Sequence, residues 1–142
     1  QYEKKPRYIV FAGLVFQPLD TNLFATAKFD DVNVRRLYAD YVPKGLFMKQ
    51  EDIVVLTRVE NDAINSQLGD FTGQAVEKIN GTVVTSLKQV NELLHPQEMP
   101  EFFVIELYGG GRPIVIPGKE VQAADKRVRE TYSIARPANL EE

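Results

Sequence analysis

Apolar residues fall in short runs along this chain, some of strand length and others spaced for one face of a helix. YIVFAGLVFQPL, Tyr8 to Leu19, is rich in β-branched and aromatic residues and is stopped by Pro18, which predicts a strand ending in a bend. Gly13 interrupts it, as glycine does at a bulge or where another backbone or a ligand comes close. After the short run LFATAKF, the segment DDVNVRRLYADYV predicts a helix over 30–42: Asp30 or Asp31 supplies the cap, Val34, Leu37, Tyr38 and Tyr41 follow helical spacing, and Pro43 with Gly45 ends it. Ile53 to Val59, IVVLTRV, has the length of a buried strand.

The stretch VEKINGTVVTSLKQVNELL is the most explicit. Gln74 to Ile79 reads as a strand, Asn80-Gly81 as a two-residue turn with positive φ at both positions, and Thr82 to Val84 as the return. Ser86 and Gln89 stand at capping-box spacing for a helix Leu87 to Leu94, with Leu87, Val90 and Leu94 on one face. FFVIEL and PIVI predict two further strands joined by YGGGR. GKEVQAADKRVRETY predicts a last helix, about 118–135, with Val121, Ala124, Val128 and Tyr132 on one side. The mixture predicts an α+β fold: a partly open, mainly antiparallel barrel or sandwich with helices on its openings.

Composition narrows the function classes. At 142 residues the chain suits one domain with a real core, and its 44% apolar and 26% charged residues are those of a globular protein. A net charge of −3 argues against a surface that holds nucleic acid by neutralising phosphates. With no cysteine there is neither disulfide nor thiolate, and the compartment stays open. No apolar run approaches the roughly 18 residues of a bilayer span, so no membrane insertion is expected. The chain opens at Gln1 without a signal-peptide pattern and reads as a fragment of something longer.

Candidate chemistry is sparse. His95, the sole histidine, sits beside Pro96 at a helix end, with no serine on a strained elbow to complete a triad. One histidine and no calcium-loop spacing give no metal site, and no cofactor is implied. Gly109 to Arg112 is followed by a strand, so a hairpin turn fits better than a phosphate loop. The pairs Asp30/Asp31 and Glu51/Asp52 flank element starts and read as caps and solvated positions, and Lys126 to Glu130 carries both signs. What remains is FAGLVF, Phe11 to Phe16, with the Leu87–Leu94 helix: a glycine among large apolar residues can expose backbone amides to a carboxylate, or can simply relieve crowding in a core strand.

GQAVEKINGTVVTSLKQVNELL resembles the signature of PDZ domains, in which strand, Asn-Gly turn, short strand and groove-lining helix follow in that order. With YIVFAGLVFQPL, IVVLTRVENDAIN and the tail YSIARPANL, the chain is similar from about Tyr8 to Leu140 to the C-terminal, second PDZ-like domain of plant Do-like (HtrA-type) serine proteases and their bacterial relatives. The resemblance implies a non-catalytic module, its protease domain lying upstream. It further implies partners among peptide or protein C-termini, sister subunits and that protease domain, with a homo-oligomer as the full-length state. The implied groove has Phe11, Ala12, Gly13, Leu14, Val15 and Phe16 on one side, with amides at Ala12 to Leu14 receiving a carboxylate and Val15 and Phe16 pairing with the ligand strand. Leu87, Val90 and Leu94 form the other wall. AGLVF lacks the second glycine of the commonest GLGF form, and the two added helices are positioned to cover the groove.

Overall fold

The computed structural model describes residues 7–19, 52–108, 111–134 and 137–140. The helix expected over 30–42 lies outside the described residues. Within them the strands are β1 (Tyr8–Phe11), β2 (Leu14–Pro18), β3 (Val54–Val59), β4 (Gln74–Ile79), β5 (Thr82–Val83), β6 (Phe102–Leu107), β7 (Ile114–Pro117) and β8 (Ala138–Asn139). The helices are α1 (Leu87–Leu94) and α2 (Val121–Thr131), α2 being led in by a 3-10 turn at Gly118–Glu120. The strands form one open antiparallel sheet in the order β7-β6-β4-β3-β2-β1-β8, with β5 hanging on β4. The fold is the PDZ-like α+β arrangement that the sequence implied.

One expected strand is two. Ile9 stands opposite Phe16, Val10 opposite Val15 and Phe11 opposite Leu14, so Tyr8 to Pro18 is a hairpin turning at Ala12-Gly13. Its φ values, 50° and 83°, nearly repeat the 47° and 83° of Asn80-Gly81. Both turns therefore have the positive φ at both centres that a two-residue hairpin requires. Asparagine advertises such a turn because its short polar side chain can hydrogen-bond locally at positive φ, whereas alanine bears the Cβ strain without that relief. The Gly13 close approach is present: a Cβ on it would collide with the Asn65 amide nitrogen and the Glu60 carbonyl oxygen.

Side chains alternate across the hairpin, as strand geometry dictates. Ile9, Phe11, Leu14 and Phe16 enter the main core with Val54, Leu56 and Val76, and with Leu87, Val90 and Leu94 of α1. Val10 and Val15 face the other way, into a small separate cluster with Val128 of α2, flanked by Tyr8 and Ile134. Tyr132, expected on the buried side of α2, is at the helix end and 38% exposed. Its hydroxyl instead donates to the Asn61 carbonyl at 3.1 Å. At the sheet margin Pro113 and Pro117 bracket β7, removing donors from an edge that could otherwise recruit another strand.

Candidate functional site

α1 is placed by its N-terminus. Ser86 accepts from the Gln89 amide at 3.0 Å, as its spacing predicts, but the Gln89 side chain reaches the Thr85 amide (2.6 Å) and not that of Ser86. The Leu87 amide donates to Asp52 at 2.9 Å, and Asp52 also pairs with Arg7 at 3.1 Å. Asp52 does cap a helix, as the sequence allowed, but one that begins 35 residues away, and it is buried and not solvated. A carboxylate at a helix N-terminus is favourable, since the first amides lack intrahelical partners. Leu87, Val90 and Leu94 each bury almost completely, contributing about 1.5–3 kcal/mol apiece.

The structure brings Phe11, Ala12, Leu14, Phe16, Leu87, Val90 and Leu94 into one cluster, with Gly13 in the turn beside them. Val15 points to the opposite face, against Val128. The ring of Phe11 sits edge-on to Phe103 (4.9 Å) and to His95 at the end of α1 (6.3 Å). β2 is paired on both edges, by β1 and by β3. β1 runs antiparallel to β2, packs against α1 and ends at the turn. It therefore lies where a strand added beside β2 would have to lie.

The turn is held from both sides. Asn65 donates through Nδ2 to the carbonyls of Ala12 (2.8 Å) and Glu60 (2.9 Å). Its Oδ1 accepts from the Asp62 amide at 3.0 Å, closing a capping box over the 3-10 turn Ala63–Asn65. On the other side the Ala12 amide donates to Oδ1 of Asp125, on α2, at 2.6 Å. Burial pushes the Asp125 carboxyl above its ordinary 3.8, against the opposing pull of the Ala12 amide, His95 and Arg129. Beside this contact is a cleft of about 190 Å³ lined by Val10, His95, Asp125, Arg129 and Pro137. β8 covers the rest of the outer edge of β1: the Val10 amide donates to the Pro137 carbonyl at 2.7 Å, and Ile9 and Tyr8 stand opposite Ala138 and Asn139.

A hairpin, an Asn-Gly turn and a capped helix beside the first strands, in this order, are matched over residues 1–140 by the family model described as PDZ domain. The chain belongs to the PDZ domain family. It is similar to Protease Do-like 4, mitochondrial, of Arabidopsis thaliana, with 34% identity over 94 residues, 66% of this chain and 16% of that protein. It is also similar to Putative protease Do-like 12, mitochondrial (31% over 94 residues, 66% and 15%) and to Protease Do-like 2, chloroplastic (30% over 90 residues, 63% and 15%), both of Arabidopsis thaliana. The chain spans only about 15–16% of the length of these relatives. It is a PDZ protein-interaction domain related to those of Do-like proteases.

Three residues of the PDZ turn region escaped sequence reasoning. Asp62 and Asn65 carried a signal, the spacing of a capping box. Asp125 carried none, because its contact spans 113 residues and no local pattern registers it. Asp62 also receives both Nε and Nη2 of Arg127, at 2.9 and 2.8 Å, and that guanidinium holds its carboxyl below the ordinary 3.8. Among the described residues no group of three or more His, Cys, Asp or Glu could hold a metal, and no helix is long and apolar enough to cross a membrane.

Proposed function

We propose that this PDZ domain is an assembly and regulatory module of a Do-like protease, and that the space beside α1 is filled by the chain itself. The observation that carries the reading is the pairing of β2 on both edges, with β1 seated against α1 and Phe11 buried where a ligand side chain would sit. An added strand needs free main-chain donors and acceptors, and β2 offers none to a newcomer. Contacts then fall to the outer faces, directed at sister subunits or at the protease domain. Catalysis belongs to that protease domain and not to this chain.

Sedimentation velocity of the full-length parent, with and without residues 1–142, tests the assembly role. Deletion is expected to lower the subunit number, and an unchanged distribution rejects the role. Amide shifts of Leu14 to Phe16 during titration with an apolar C-terminal peptide test the filled space: they stay in place if β1 holds it. Incubation of the purified chain with a casein substrate is expected to give no turnover.

A further inference from the structure

We propose that the outer face of the half-sheet formed by β4, β5, β6 and β7 is a self-complementary contact for a second copy of this chain, the two copies packing face to face about a two-fold axis. The inference rests on the assembly reading above and names the face and the partner for it.

Strand alternation decides what that face carries. Phe103, Ile105, Leu107, Ile114 and Ile116 turn into the core, so Phe102, Val104 and Glu106 of β6 and Val115 of β7 turn outward, with Val104 and Val115 paired. Lys78 on β4 stands opposite Glu106, and Val83 on β5 stands opposite Lys78, so both continue the same face. Among the described residues five large apolar side chains are exposed. Val83, Phe102 and Val115 gather on this face, and Met99 lies at its margin against Gly118, just past Pro117; only Tyr132 is elsewhere. Single exposed apolar residues need no partner, but a contiguous group rimmed by charge marks an interaction surface. The edge of β7 is closed to strand addition by Pro113 and Pro117, which leaves packing by the face.

The charges select the partner. Lys78 and Glu106 are cross-strand neighbours of opposite sign, and neither makes an ion pair with another described residue. A two-fold axis running along the strands between β4 and β6 lays β6 of one copy over β4 of the second copy, and β7 over β5. Glu106 then meets Lys78 of the second copy, and Lys78 meets Glu106 of the second copy, in two equivalent pairs. Val104 and Val115 come over the Asn80-Gly81 turn of the second copy, where Gly81 offers open space, and Val83 comes under β7. A surface of one sign calls for a different molecule, whereas one that carries both signs across a single register matches itself. A standard interface engages about 20–30 residues a side, more than this face supplies, so the isolated chain associates weakly and tethering within an assembly makes the contact persist.

The test is sedimentation velocity of the purified chain at loading concentrations from roughly 20 μM to 1 mM, where a contact of less than standard size associates. The weight-average sedimentation coefficient is expected to rise with concentration. Val115→Lys is expected to abolish the rise and to leave the thermal melt unchanged, since the side chain points away from the core. Lys78→Glu and Glu106→Lys are each expected to weaken self-association about tenfold or more, because like charges then face each other twice across the axis. An equimolar mixture of those two variants is expected to restore association, since each reversed charge meets its opposite only in the mixed pair. A chain that stays monomeric throughout overturns the self-contact, as does an association that survives Val115→Lys or a mixture no stronger than its components. A monomeric chain whose deletion still lowers the subunit number of the parent overturns the self-contact and leaves the assembly role intact. Association of the chain with no effect of deletion on the parent rejects the assembly role and leaves the self-contact standing.

Discussion

Gly13 and Gly81 occupy equivalent turns with the same φ, yet they differ in surroundings. Gly81 faces open space, and Gly13 lies against the Asn65 amide and the Glu60 carbonyl. Gly81→Ala is therefore expected to cost about 1–2 kcal/mol from the left-handed backbone alone, and Gly13→Ala roughly 3 kcal/mol or more, because the collision is with backbone as well as side chain. Urea denaturation of the two variants checks the ordering; equal losses would mean that the close approach is unimportant. Asn65 is next: its removal strands the Ala12 carbonyl, so Asn65→Ala is expected to destabilise by about 2–3 kcal/mol with the largest amide shifts at Ala12 and Gly13. Ser133 is the opposite case. It holds φ 55° just after α2, where the Ile134 amide bonds back to the Arg129 carbonyl at 3.0 Å, a position that suits glycine. Ser133→Gly is expected to raise stability by about 0.5–1 kcal/mol in the same assay.

At the scale of elements, what the sequence disclosed depended on whether the deciding interaction was local. β4, the Asn-Gly turn and α1 are set by residues within a few positions of one another, and all three were readable. The first hairpin was not, since Ala12 is an unusual occupant of its turn and is held there by Asn65 and Asp125, 53 and 113 residues away. β8 has two residues and no periodicity to detect; it exists because β1 offers an edge. Phe11, Ala12, Leu14, Phe16, Leu87, Val90 and Leu94 share one buried cluster, while the pairing of β1 along the edge of β2 beside α1 was not legible. Asp52 gives a prediction at this scale. Asp52→Ala removes the acceptor of the Leu87 amide in a buried setting, so a loss of about 2 kcal/mol is expected, with faster amide exchange concentrated in the first turn of α1. Uniform loss of protection across the sheet would assign Asp52 a global role instead.

For the whole molecule, two aspartates on opposite sides of the same turn region pull the pH dependence of stability in opposite directions. Asp62 has its carboxyl held below 3.8 by Arg127, so it contributes stability above 3.8 that is lost as pH falls through its folded value; the pair is exposed and the effect is small. Asp125 has its carboxyl pushed above 3.8 by burial, so its contribution is fully present below 3.8 and is lost as pH rises through its folded value. Docking of α2 thus tightens on acidification where Asp125 governs, the reverse of a carboxylate held by a salt bridge. Comparing the stability of wild type and Asp125→Asn across this window isolates the effect. Wild type is expected to lose stability relative to the variant as pH rises from 3.8 through the folded value of Asp125 and to run parallel to it above. The same pH change should speed amide exchange of Ala12 in wild type more than in the variant. Wild type losing stability relative to Asp125→Asn as pH falls would instead mean that the Ala12 amide and the neighbouring positive charges outweigh burial.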